Sequence, residues 1–102
     1  MTEQQILQDA MKLIEQSWGQ GSIGLGFPPK GTYCIDTALS ATCDDHTLEG
    51  HTIRVNVREL LKQHVPREYR NCLFRWNDEP WRTKEEVLTV FQAALHTLEA
   101  TS

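Results

Sequence analysis

One stretch of the chain carries most of its structural information, Trp76-Asn77-Asp78-Glu79-Pro80-Trp81-Arg82-Thr83-Lys84-Glu85-Glu86-Val87. It combines two of the three tryptophans with a turn-forming Asn-Asp pair, a proline and a helix-start signature. In that signature the Thr83 hydroxyl can cap the next helix, while the Glu86 carboxylate reaches back to the Thr83 amide. We therefore interpret the stretch as a structural corner from which the last helix begins.

The side chains of this corner have separate expected roles. We expect Trp76 to insert between the first and last helices, and Asp78 and Arg82 either to pair across the turn or to satisfy backbone groups around it. Because Pro80-Trp81 does not readily supply positive φ at its second position, we expect a type I turn. Trp81 is then part-exposed and is the best aromatic anchor for a partner. The residues assigned to the structural corner are Trp76, Asn77, Asp78, Arg82 and Thr83.

Hydrophobic periodicity predicts a mainly α fold with about four helices in a single domain, residues 1–102. Apolar residues after Thr83 recur at helical spacing and predict a helix over about 84–99, and a Thr2–Gln5 capping pair starts another over about 3–17. A short apolar segment predicts a helix over about 33–42, with Thr32 as its cap. Glycine and proline crowd residues 19–32, which we interpret as a loop without the spacing of a phosphate-binding loop.

The segment from residue 53 carries two patterns. Ile53, Val55 and Val57 alternate with polar residues as in a strand, but the apolar positions through Val65 also form a helical stripe. The run Arg58-Glu59-Leu60-Leu61-Lys62-Gln63 favours helix, so we predict a helix over about 53–65 that ends before proline. We interpret residues 44–50 as a polar loop and residues 67–75 as a basic connection.

Size and composition describe an ordinary soluble domain. The 102 residues carry a net charge of −4, which argues against nucleic acid as the main partner, and no apolar run is long enough to span a membrane. The three cysteines form no Cys-x-x-Cys pair, and the first residues lack a secretory signal, so we expect a cytoplasmic protein with reduced thiols. The charge is uneven, because residues 54–75 carry six basic and two acidic side chains.

Three motifs together carry a resemblance. The first helix ends in Trp18-Gly19-Gln20-Gly21, Cys34 and Ala38 have the form Cys-x-x-x-Ala, and the corner has the form Trp-Asn-Asp-x-Pro-x-Arg-Thr-x-x-Glu-Val. In these features the chain resembles an uncharacterised family of small bacterial and phage proteins. It departs from that family in having Trp81 where glycine is usual, and in a longer loop before Cys34. The resemblance implies a helical single-domain fold and no assigned activity.

Two sets of residues could carry chemistry. Cys34, near the start of the second predicted helix, could be a thiolate nucleophile with one of the four histidines as base, although a small buried residue is the simpler interpretation. Cys43, His46 and His51, completed by Cys34 or Asp44, offer suitable zinc ligands. Their spacing matches no established zinc template, so we expect no metal and no cofactor.

A third set is the basic stripe Arg54, Arg58 and Lys62, which spacing of four places on one helix face. With Arg67, Arg70 and Arg75 it could dock an acidic partner, or it could be a solvated face neutralised by the acidic first and last helices. We expect a cytoplasmic binding or regulatory module without catalytic activity. Its partner would be a protein or a second copy of the chain, with protein favoured over nucleic acid and no membrane. The alternative is a thiol-dependent hydrolase or transferase that uses Cys34. The residues assigned to partner binding are Arg54, Arg58, Lys62 and Trp81.

Overall fold

The structure, a computed structural model, describes residues 2–21, 28–44 and 46–101. These residues form five α-helices and one 3-10 helix: α1 Glu3–Ser17, α2 Ile35–Thr42, α3 Leu48–Lys62, the 3-10 helix Arg67–Tyr69, α4 Leu73–Asn77 and α5 Lys84–Thr101. Within the described ranges there is no strand, only an isolated β-bridge between Trp18 and Tyr33. The predicted mainly α fold is confirmed.

The first helix is the centre of the packing. α1 contacts α2, α3 and α5, whereas α4 packs mainly against α2. One apolar cluster joins all five helices. The predicted stripe of α5 lies in it, because Val87, Val90, Phe91, Ala94 and Leu95 are buried. Burial of this kind is the largest favourable contribution to folding, at about 25 cal/mol per Å² of apolar surface.

The starts of the first two helices depend on local hydrogen bonds. The Thr2 hydroxyl accepts the Gln5 N–H at 3.1 Å, which confirms the Thr2 cap, whereas the Gln5 side chain donates to Asp9 Oδ1. α2 begins two residues later than predicted and is capped by Cys34, not Thr32. The Cys34 sulfur accepts the Thr37 N–H at 3.5 Å, and the Thr37 hydroxyl accepts the Cys34 N–H at 2.9 Å. Thr32 instead donates its hydroxyl to the Pro29 carbonyl, which keeps it in the preceding turn.

The third helix differs from its prediction at both ends. α3 begins at Leu48, five residues early, so residues 53–57 are helical and the predicted loop over 44–50 is wrong in its last three positions. The Thr47 hydroxyl caps it by accepting the Gly50 N–H at 2.9 Å. A Cβ atom at Gly50 would lie 1.8 Å from the Asp44 carbonyl oxygen, so this glycine permits a close approach and does not break the helix. The helix ends at Lys62, three residues before the predicted end.

The structure also describes much of the two predicted connecting segments, residues 67–75 and residues 19–32. The predicted basic connection, residues 67–75, contains the 3-10 helix and the first turn of α4. A five-residue helix is too short to show a helical period in a sequence, which explains why α4 was not predicted. Of the predicted loop over 19–32, residues 22–27 lie outside the described residues, and its described parts contain neither helix nor strand.

Candidate functional site

A hydrogen-bonded cluster ties the end of α1 to the segment between α4 and α5. We call it the polar corner, and its members are Trp18, Gly19, Gln20, Gly21, Asn77, Asp78 and Glu79. The side chain of Asn77 is fully buried at its centre. Its Oδ1 accepts from Trp18 Nε1 at 2.9 Å, and its Nδ2 donates to the Gly19 carbonyl at 3.1 Å and to Asp78 Oδ1 at 2.9 Å. Each bond removes the penalty of about 1–3 kcal/mol for an unsatisfied buried group.

Two further side chains extend the polar corner. Asp78 Oδ1 also accepts the Gly21 N–H at 2.9 Å. Gln20 Nε2 donates to the carbonyls of Asn77 and Glu79, at 3.0 and 2.6 Å. The Trp-Gly-x-Gly and Trp-Asn-Asp motifs are therefore two halves of one structural unit, although almost sixty residues separate them.

Arg82 braces the other side of the corner. Its guanidinium lies over the buried Trp76 ring, 4.1 Å from the ring centroid, and its Nε donates to the Trp76 carbonyl at 2.9 Å. Its Nη1 lies 3.1 Å from Glu86 Oε2. Arg82 thus satisfies a backbone carbonyl next to the turn, as in the second of the two predicted arrangements, whereas Asp78 accepts from the Gly21 N–H after α1. Trp76 is buried in the core, but its helix, α4, packs mainly against α2, so its insertion between the first and last helices stays a prediction.

The last helix begins with the predicted capping box. The Glu86 N–H donates to Thr83 Oγ1 at 3.2 Å, and the Thr83 N–H donates to Glu86 Oε1 at 3.0 Å. The hydrogen bond from the Thr83 backbone, assisted by the nearby Arg82 charge, holds the pKa of the Glu86 carboxyl below its usual value. The carboxylate therefore stays ionised to lower pH than an ordinary glutamate does, and in that form it caps the helix and pairs with Arg82.

Trp81 lies at the tip of the turn that links the corner to α5. The Arg82 N–H donates to the Glu79 carbonyl at 2.9 Å and closes the turn. Among the described residues no non-glycine residue has positive φ, so this turn is not type II, in agreement with the type I prediction. Trp81 is 65% exposed, so its predicted part-exposure is confirmed.

The basic stripe of α3 is largely engaged within the chain. The Arg58 guanidinium forms an ion pair with Asp36 of α2, and Lys62 Nζ lies 3.1 Å from Glu59 Oε1. Arg54 is half-buried and also has an interaction partner. The sequence pattern placed the three cations on one face but gave no sign of Asp36, which reaches them only through the packing of α2 on the core.

Other cations lie free of such pairs. Arg67, Arg70 and Arg75 are exposed, and across the part of the chain that the structure describes none of them forms an ion pair. Arg70 and Asn71 also line a surface depression of about 330 Å³ together with Glu59, Lys62 and Gln63 of the α3 end. The available positive charge therefore lies after α3, not along it.

The residues considered for chemistry differ in their burial. Cys34 is only 1% exposed, and the hydrogen-bond partners of its sulfur in the described chain are the amide and hydroxyl of Thr37. Cys43 is buried, whereas His46 and His51 are exposed. In the described ranges, which omit residue 45, no three His, Cys, Asp or Glu side chains come close enough to hold a metal ion.

These features define a class of small helical domain whose two tryptophan motifs close on each other through a polar corner. The chain belongs to a family of unknown function (DUF6197), which matches residues 1–97, in line with the resemblance found in the motifs. Neither the curated proteins nor the solved structures gave a match. Among the described helices, none has the length and apolar character needed to cross a membrane.

Proposed function

We propose that the protein is a binding module without catalytic activity, and that it docks a protein partner on Trp81. The observation that carries this proposal is the 65% exposure of Trp81 on a turn that is fixed by hydrogen bonds on both sides. Tryptophan is enriched among the residues that dominate binding energy, and its rigid ring loses little conformational entropy when a partner covers it. A turn that is already ordered lowers the cost of association further.

The braced geometry supports the same proposal. Gln20 holds the Glu79 carbonyl at the start of the turn, and Arg82, at the end of the turn, holds the carbonyl of Trp76 in α4 before it. Trp81 itself is left outside these contacts, whereas Trp18 and Trp76 take part in them. We also propose a cytoplasmic location, which the three free cysteines support because reduced thiols are typical of that compartment.

The alternative, a thiol-dependent hydrolase or transferase, has less support. Cys34 does cap a helix, a position that stabilises a thiolate. A nucleophile must also meet its substrate, and the Cys34 side chain is buried against the core with its sulfur accepting hydrogen bonds from Thr37. We therefore assign Cys34 to the scaffold and not to a catalytic site.

Photo-crosslinking tests the role of Trp81. A photoreactive phenylalanine analogue is placed at position 81 and, in a matched control, at Gln92, an exposed position on α5. In cells of the native host we expect a discrete crosslinked protein from position 81 and none from position 92. The variant Trp81→Ala should keep wild-type stability within about 0.5 kcal/mol, since its side chain packs little. Identical adducts from both positions, or none from position 81, would contradict the proposal.

A further inference from the structure

We infer that the partner is an acidic protein segment, and that its carboxylates bind the surface formed by the end of α3, the 3-10 helix and α4. This inference rests on the proposed function and names the chemical class of the partner. We call the surface the free-arginine surface. Its members are Lys62, Gln63, Arg67, Arg70, Asn71, Phe74 and Arg75.

The first observation is the charge that this surface leaves available. Arg67, Arg70 and Arg75 are exposed and have no ion pair within the described residues, unlike Arg58 and Lys62. Of the two acidic residues in the segment 54–75, Glu59 is paired with Lys62, which leaves Glu68 against three arginines. Unpaired guanidinium groups attract carboxylates during encounter and bind them with paired, charge-assisted hydrogen bonds.

The second observation is the depression of about 330 Å³ on this surface. Arg70 and Asn71, which follow the 3-10 helix, line it together with Lys62 and Gln63 at the end of α3, so cationic and amide side chains from two parts of the chain share the lining. Glu59 also lines it, but the Lys62 ammonium 3.1 Å away offsets its charge. A guanidinium is planar and presents several N–H donors. It therefore fits a planar carboxylate better than it fits an anion that acts as a point charge.

The third observation separates an acidic protein segment from nucleic acid. Outside residues 54–75 the chain carries twelve acidic and four basic side chains, so a long polyanion that runs past the surface meets repulsion. A short acidic segment contacts only the arginines. Phe74, which is 42% exposed and directly precedes Arg75 in α4, adds an apolar contact for a partner that carries hydrophobic side chains between its acids.

The test uses a short fluorescein-labelled oligoglutamate peptide with a central leucine as the probe. Its binding to the full chain is measured by fluorescence anisotropy at low ionic strength. We expect Arg70→Gln to weaken binding about tenfold, which is the effect of losing one charge-assisted contact. The matched control Lys12→Gln removes one exposed charge from α1 and should change the affinity less than about twofold. Thermal unfolding confirms that both variants are folded, and Arg75→Gln replaces Arg70→Gln if the latter is not.

Three results would overturn the inference: no binding of the peptide, equal weakening by both substitutions, or tighter binding of an oligothymidylate of the same charge. The last would assign the surface to nucleic acid. Trp81→Ala should bind the peptide as the wild type does, because the probe lacks a partner for the indole ring. If position 81 gives a crosslink but the peptide does not bind, the proposal of docking on Trp81 stands and only the proposal of an acidic partner is rejected.

Discussion

At the scale of single residues, Asn77 is the side chain on which the polar corner depends. Its amide joins the Trp18 indole to the Gly19 carbonyl and to Asp78. Asn77→Ala leaves the indole N–H and the carbonyl without these partners, so we expect a loss of about 2–4 kcal/mol in the free energy of unfolding. Urea denaturation monitored by circular dichroism measures it.

Asn56 provides the matched control for that measurement. It is exposed on α3, and its one hydrogen bond, from Nδ2 to Glu3 Oε1, is long at 3.4 Å. Asn56→Ala should therefore change the free energy of unfolding by less than about 0.5 kcal/mol. Similar losses in the two variants would mean that the buried Asn77 amide contributes no more to stability than an exposed asparagine does.

Residue roles that depend on near neighbours in the chain could be predicted from the sequence. The Thr83–Glu86 capping box and the exposure of Trp81 belong to this group, since a turn or a helix start involves only a few consecutive positions. The pairing of Trp18 with Asn77 could not be predicted, because nothing in either motif specifies a partner 59 positions away. For the same reason the pairing of Arg58 with Asp36, 22 positions earlier in the chain, could not be predicted.

At the scale of elements, the start of α5 depends on the Thr83 cap. Thr83→Ala removes the hydroxyl that accepts the Glu86 N–H, so we expect a loss of about 0.5–2 kcal/mol in the free energy of unfolding. Thr89→Ala is the control, because Thr89 is an exposed residue inside the same helix. Alanine has the higher helix propensity there, so stability should stay level or rise by a few tenths of a kcal/mol. Equal losses at both positions would argue against the cap.

The helices differ in how far the sequence specifies their ends. α1 was predicted with the bounds that the structure has, and Thr2 caps its start as expected. Its end does not have the left-handed Gly19 cap that the sequence suggests, because the C-cap is Trp18 with an extended backbone. The first turn of α3 was missed because Gly50 was interpreted as a loop residue. Only the packing shows that the Asp44 carbonyl occupies the space where a side chain would lie. α4 has too few residues for any period to be visible.

At the scale of the whole molecule, the polar corner closes a large part of the chain on itself. Residues 18–21 and 77–79 are joined by hydrogen bonds, and α1 contacts three other helices. We therefore expect unfolding to be a single cooperative transition. Tryptophan fluorescence, which reports on the corner through Trp18 and Trp76, should give the same midpoint in urea as far-ultraviolet circular dichroism. A fluorescence transition at lower urea than the loss of helix would show that the corner opens independently.

The position of Asn77 also governs how the protein ages chemically. Asparagine side chains lose ammonia when the backbone nitrogen of the next residue attacks the side-chain carbonyl carbon. Here that nitrogen belongs to Asp78 and donates its hydrogen to the Phe74 carbonyl at 2.9 Å, while both ends of the Asn77 amide are held in hydrogen bonds. Deamidation at this Asn-Asp step must therefore wait for the corner to open. The rate of deamidation at Asn77 is therefore limited by how often the polar corner opens.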